Sequence, residues 1–254
     1  MFVDTHAHLY VEQFDKDRAE VVQNAVNMGV LKIFLPNIDS KTTHSMLQMA
    51  TDFPKTCYPM IGLHPCSVKD DYKNELSHIE EQLQKHKFFG IGETGIDLYW
   101  DKSHIEEQVI AFENQIQLAK DTKLPIIIHS RESLDMTIEL IEKHQDGSLS
   151  GVFHCFNGDR DQCNRIQDVG FYMGLGGVTT FKNANMKDVV QHMNEDHMVL
   201  ETDAPYLSPV PNRGKRNISA YIPLIAAKVA EFRNTEIRHI RDLTTTNAQK
   251  LFGF

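Results

Sequence analysis

Six residues in this 254-residue chain have the types and settings to do chemistry together. They are His6 and His8 in Thr5-His6-Ala7-His8, Glu93 in Gly92-Glu93-Thr94-Gly95, His129 after Ile126-Ile127-Ile128, His154 after Phe153, and Asp203 in Thr202-Asp203-Ala204-Pro205. Neutral imidazole is the commonest protein metal ligand. Four imidazoles and two carboxylates exceed what one tetrahedral zinc takes, and they match two divalent ions sharing a bridging carboxylate and water. Such ions lower the pKa of bound water toward neutrality, so that hydroxide becomes available as a nucleophile without a strong protein base. The His6-x-His8 pair alone carries little weight, because 13 histidines in 254 residues supply about 0.7 such pairs by chance.

The weight comes from the elements that must position these residues. Short apolar runs predict eight strands, near Phe2–His6, Leu31–Asn37, Cys57–Gly62, Phe88–Glu93, Leu124–His129, Gly151–His154, Gly170–Gly174 and Met198–Asp203. Several runs are continuously apolar rather than alternating, as in parallel strands covered on both faces. Helices are expected between them. One spans about Asp15 to Met28 and stops at Gly29, and the clearest begins at Ser103, where Ser103 and Glu106 suggest a capping box. Others fit Thr42–Asp52, Asn74–Lys87, Glu132–His144, Arg160–Val169, Ser219–Arg233 and Thr235–Phe252. Eight strands with intervening helices over this length predict an α/β fold, a single (β/α)8 TIM barrel. The six candidates then fall at strand ends, on the face where such barrels place their active sites. Glu93, between the others in strand order, is the expected bridge. His6, His8 and Asp203 complete one shell, and His129 and His154 the other.

No linker or repeat divides the chain, so one domain covering residues 1–254 is expected. No run approaches the eighteen or so apolar residues of a membrane span, and Met1-Phe2-Val3-Asp4 lacks the features of a secretory signal. The chain reads as soluble and cytoplasmic, with its four cysteines reduced. A net charge of −9 excludes a protein that coats duplex nucleic acid by bulk electrostatics, though not one that holds a strand at a local site.

With these residues in place the chain resembles the TatD family of metal-dependent deoxyribonucleases, within the amidohydrolase-like TIM barrels. The likeness covers nearly the whole chain. It runs through Asp4-Thr5-His6-Ala7-His8, Gly62-Leu63-His64-Pro65, Gly90 to Asp97, Leu124 to Arg131, Phe153 to Gly158, and Glu201 to Leu207. The resemblance implies phosphodiester hydrolysis, as an exodeoxyribonuclease on single-stranded DNA ends, with Mg²⁺, Mn²⁺ or Zn²⁺ as the two divalent ions. It implies the six candidates as metal ligands, Asp203 also as acceptor of a proton from the attacking water, Glu93 and His64 in the catalytic set, and Glu201 as a substrate contact or an orienting group. Two departures stand out. Cys66 replaces a histidine that often follows Gly-Leu-His-Pro, and Ile218-Ser219-Ala220-Tyr221 replaces the usual acidic residue and proline after the basic loop.

Phosphate handling must fall to a few local cations. Arg131 is one candidate, and Arg213, Lys215 and Arg216 are others, a solvated turn being the plainer reading of that run. Tyr99 and Trp100 fit either a base-stacking contact or ordinary packing. Cys155, beside His154 on the expected strand, should face away and is given no site role. A lactonase or amidase on the same barrel is the alternative reading, and a non-catalytic metal-binding protein a third. Many such barrels bridge their metals with a modified lysine on strand 4, and Glu93 in that place favours phosphodiesters. A monomer is slightly favoured.

Overall fold

The computed structural model describes all residues from Met1 to Phe254. Eight strands alternate with helices: β1 (Phe2–Asp4), β2 (Val30–Pro36), β3 (Cys57–Met60), β4 (Ile91–Asp97), β5 (Ile126–Arg131), β6 (Gly151–Phe153), β7 (Tyr172–Leu175) and β8 (Met198–Leu200). The helices are α1 (Arg18–Asn27), α2 (Ser40–Asp52), α3 (Tyr72–Lys85), α4 (Ile105–Thr122), α5 (Leu134–His144), α6 (Arg160–Asp168), α7 (Met186–His192), α8 (Ile222–Arg233) and α9 (Ile237–Phe252). All paired strands are parallel and follow chain order. Isolated bridges close the circle, Ile61 to Ile91 between β3 and β4, and Ala7 to Ala204 just beyond β1 and β8. The expected (β/α)8 barrel is the observed one.

A layer of Val3, Phe34, Met60, Ile127, Val152 and Val199 fills the lower barrel, and Ala248, Leu251 and Phe252 of α9 pack beneath it. In a strand, residues two apart share a face. His129 therefore stands one step above Ile127, His154 above Val152, and Glu201 and Asp203 above Val199, so an apolar floor carries a polar upper layer. On β1 the rhythm shifts by one residue, with His6 and His8 three and five residues past Val3.

Several element bounds differ from expectation, and the differences move the site. β4 starts at Ile91 and runs on to Asp97, so Glu93 lies within the strand rather than at its end; His129 likewise sits inside β5. α4 begins at Ile105 without a side-chain cap, because the Ser103 amide and hydroxyl both donate to the Asp101 carboxylate. Its buried face includes Gln108 and Gln115 as well as Phe112, Ile116 and Ala119. These amides hold β4: Gln115 Oε1 accepts from the Leu63 N–H at 2.8 Å and its Nε2 donates to Thr94 Oγ1 at 2.6 Å, while Gln108 Oε1 accepts from the Asp97 N–H at 2.9 Å. The short α7 was not expected; Met186, Val189 and Val190 make only two turns of apolar pattern. Gly29 does end α1, at φ +81°. No helix is long and apolar enough to cross a membrane.

Candidate metal centre

The upper layer gathers all six candidate ligands around one carboxylate. Glu93 Oε2 lies 3.1 Å from His6 Nε2 and 3.2 Å from His8 Nε2, while Oε1 lies 2.8 Å from both His129 Nδ1 and His154 Nε2. The two oxygens of one side chain thus face two separate pairs of imidazoles. Asp203 Oδ1 stands 3.7 Å from His6 Nε2 and 3.6 Å from His8 Nε2, on the first side. His64 Nε2 stands 3.4 Å from Glu93 Oε1, on the second.

Local sequence explains how β4 and β5 make this fit. A Cβ at Gly95 would lie 2.0 Å from the His129 carbonyl oxygen, and Gly95 has φ +138°, so only glycine suits. Gly95 pairs with His129 across the strands. Glu93 and Asp97, two residues either side of it, share its face. The His129 ring is held between them, with Nδ1 on Glu93 and Nε2 donating to Asp97 Oδ2 at 3.0 Å. Asp97 Oδ1 is itself fixed by the Tyr99 and Trp100 amides at 2.9 and 3.1 Å. Although burial opposes it, the His129 hydrogen bond and these amides hold the Asp97 carboxyl well below the usual range.

His8 is oriented in the same manner. The Tyr10 hydroxyl donates to the Pro36 carbonyl, so it accepts from His8 Nδ1–H at 2.9 Å and leaves His8 Nε2 as a lone pair facing inward. Asp4, fully buried, fastens the β1 end to the β8 end by accepting from the Thr202 amide at 2.9 Å and its hydroxyl at 2.6 Å.

Whether these residues fit divalent ions can be tested on the donor atoms alone. His8 Nε2 and His129 Nδ1 are acceptors in the tautomers that Tyr10 and Asp97 impose, yet they face carboxylate oxygens, which are also acceptors. Such contacts need a cation or extra protons between them. Two donors each about 2.0–2.2 Å from one ion, at angles of about 90–110°, lie about 2.8–3.6 Å apart. The separations between Glu93 and its four imidazoles fall in that range, as do His6 Nε2 to His8 Nε2 at 3.1 Å and His129 Nδ1 to His154 Nε2 at 3.2 Å, and the Asp203 Oδ1 distances of 3.6 and 3.7 Å stand at its upper edge. In the metal-free protein, protons take the place of cations. Burial opposes charging of His154, but the Glu93 carboxylate outweighs it and holds this imidazole well above its ordinary value. Glu93 is also buried, and His154, His64 and His6 nonetheless keep it well below the carboxylate range. Burial pushes Asp203 up to about 6.

The remaining expectations fare differently. Glu201 is fully buried and its Oε1 accepts from the Cys155 amide, 3.6 Å from His154 Nδ1. It lies behind His154 rather than on the cavity lining, with no hydrogen bond between the two side chains. Cys155 is not on a strand, since β6 ends at Phe153 and Cys155 has φ +49°. The site opens into a cavity of about 530 Å³, whose lining includes Cys66, Trp100, Arg131, Tyr206 and Leu207 besides the candidate ligands other than His6. Arg131 is its one permanent cation. Arg213, Lys215 and Arg216 do not line it. Arg213 stacks on Phe181 at 3.8 Å, and Arg216 is committed to Asp17, with Nη1 3.0 Å from Oδ1.

Asp97 and Tyr10 had no role in the sequence reading. Asp97 carried a signal in its spacing, four residues past Glu93 on the same face of β4, whereas Tyr10 lies in the turn after β1 and no strand rhythm pointed to it.

The family model described as TatD related DNase matches residues 3–253. The metal-dependent hydrolase YabD of Bacillus subtilis is 37% identical over 253 residues, 99% of each chain. The 3'-5' ssDNA/RNA exonuclease TatD of Rahnella is 30% identical, covering 97% of this chain and 96% of its own. Among solved structures, the TatD homolog YjjV of Escherichia coli superposes with a TM-score of 0.94 at 28% identity, covering 100% of this chain and 98% of its own.

Proposed function

The chain belongs to the TatD family of metal-dependent hydrolases acting on ester bonds, and from that premise we propose that it removes nucleotides from the ends of single-stranded DNA. In this reading His6, His8 and Asp203 would hold one divalent ion, His129 and His154 would hold a second, and Glu93 would serve both. The observation that carries it is Glu93 itself, one buried carboxylate whose two oxygens face two separate sets of donors. Relatives named 3'-5' ssDNA/RNA exonucleases support a strand end as substrate and digestion from the 3′ side.

Divalent ions in such a site supply Lewis acidity to a phosphoryl oxygen and a water of lowered pKa. The residues of the chain do the rest. Tyr10 and Asp97 fix the tautomers of His8 and His129, so that each presents a lone pair without reorganisation. Asp203, at the cavity wall, takes a proton from the attacking water at Oδ2, the carboxylate oxygen left over when Oδ1 faces His6 and His8. His64 Nδ1 accepts from the Cys66 amide at 3.1 Å, so Nε2 bears the ring proton and donates a hydrogen bond, without losing that proton, to an oxygen of the substrate, while the leaving oxygen takes its proton from solvent. Arg131 pairs with a phosphate of the substrate.

The test is to incubate metal-reconstituted protein with end-labelled single-stranded DNA beside a panel of lactones and amides. Metal-dependent shortening from one end is expected, abolished in Glu93→Ala and His154→Ala proteins that keep the wild-type circular dichroism. Intact DNA with lactone or amide turnover would overturn the proposal.

A further inference from the structure

We infer that Trp100, Tyr99 and Arg131 form a reading head for the last unpaired nucleotide, which stacks its base on Trp100 and gives one phosphate to Arg131. This rests on the nuclease reading and adds what part of the strand is held. Trp100 is 67% exposed and Tyr99 49% exposed, just past the β4 end, and Trp100 lines the cavity. An indole left this open has little packing role. The Arg131 guanidinium lies 3.9 Å above the Tyr99 ring and 5.3 Å from the Trp100 ring, and no carboxylate neutralises it. The two rings meet edge to face at 4.9 Å. Tyr99 thereby stiffens Arg131, while one face of Trp100 stays free for a base. The amides of the same two residues are anchored by Asp97, which also holds His129. Platform and centre are therefore in fixed register.

Charge limits the grip to the strand end. The cleft continuing past Cys66 and Ser67 carries Asp39, Asp70, Asp71 and Glu75 against two lysines. The one continuing past Arg131 adds Glu132 and Asp135 and no further cation. A polyanion gains nothing by lying in either, so binding energy must come from one stacked base and one arginine. A backbone track would instead show a run of free lysines or arginines.

Trp100 is the only tryptophan in the chain, so its fluorescence reports the platform directly. The metal-loaded protein is titrated with phosphorothioate-linked oligothymidylates ending in adenine or in an abasic residue, and cleavage of the matching phosphodiesters is followed separately. The adenine end should quench Trp100 and bind about tenfold tighter than the abasic end. The same preference in kcat/KM should collapse toward one in Trp100→Ala and largely survive in Trp100→Phe. The dependence of log KM on log salt should have a slope near about 0.7, one phosphate's worth for a single strand. Cleavage without quenching, with Trp100→Ala keeping the wild-type preference, overturns the platform and leaves the nuclease reading intact. A slope of about 2 or steeper overturns the single-phosphate grip. Quenching by the adenine end without any cleavage upholds the platform and overturns the nuclease reading.

Discussion

Asp97→Asn should weaken metal binding on one side of the centre without disturbing the fold. Asp97 Oδ1 accepts two amides, from Tyr99 and Trp100, at 2.9 and 3.1 Å, so an asparagine there must keep its oxygen toward them. Its NH₂ then replaces Oδ2 opposite His129 Nε2, which now has to accept. The ring proton moves to Nδ1, the atom that faces Glu93 and His154 at 2.8 and 3.2 Å, and the lone pair meant for a metal is lost. The bond exchanged is a charge-assisted one worth about 1.5–3 kcal/mol. At about 1.4 kcal/mol per decade this weakens one of two metal-binding steps by about 10- to 150-fold, in line with the 10–100-fold typical of ligand-orienting partners. Calorimetric titration of the metal-free protein with Mn²⁺ or Zn²⁺ separates the two steps, and circular dichroism checks the fold. Both ions retained at wild-type affinity, with an unchanged rate, would refute the tautomer reasoning.

Gly95→Ala should destabilise the protein by at least about 3 kcal/mol in urea, because a Cβ at φ +138° would meet the His129 carbonyl at 2.0 Å; a midpoint within error of wild type would contradict this. Arg216→Ala should cost at most about 1 kcal/mol at pH 7 and leave KM for DNA unchanged, since Arg216 serves a half-exposed pair with Asp17 rather than the cavity. That pair holds the Asp17 carboxyl below its ordinary value, so its contribution is complete above about pH 4 and fades as pH falls through the folded value. Urea midpoints of wild type and variant should therefore converge in acid, and a gap that widens there would be the wrong sign. Chelation should lower the melting temperature, and restoring metal at about 100 times its dissociation constant should return about 2.7 kcal/mol.

Most of the barrel was legible because buried parallel strands such as Pro125-Ile126-Ile127-Ile128 are continuously apolar and Gly29 marks a helix end. The cluster of candidate ligands was legible because each follows a predicted strand, and in a barrel those ends converge on one face. What escaped depends on competition or on contacts distant in sequence. Ser103 could not be seen to prefer Asp101 over a helix cap. Glu201 reads as a substrate contact or an orienting group in Glu201-Thr202-Asp203, and alternation puts it on the face of Asp203, but the chain after β6 covers it and seats it against the Cys155 amide. Arg216 reads as a free cation until the loop after β8 folds back on Asp17, 199 residues away.

The central claim is that Glu93 joins two ions, and anomalous diffraction from crystals equilibrated with Mn²⁺ tests it most directly. Two peaks are expected, one among His6, His8 and Asp203 and one beside His129 and His154, with the Glu93 carboxylate between them. A single peak, or a second one away from Glu93, would contradict it.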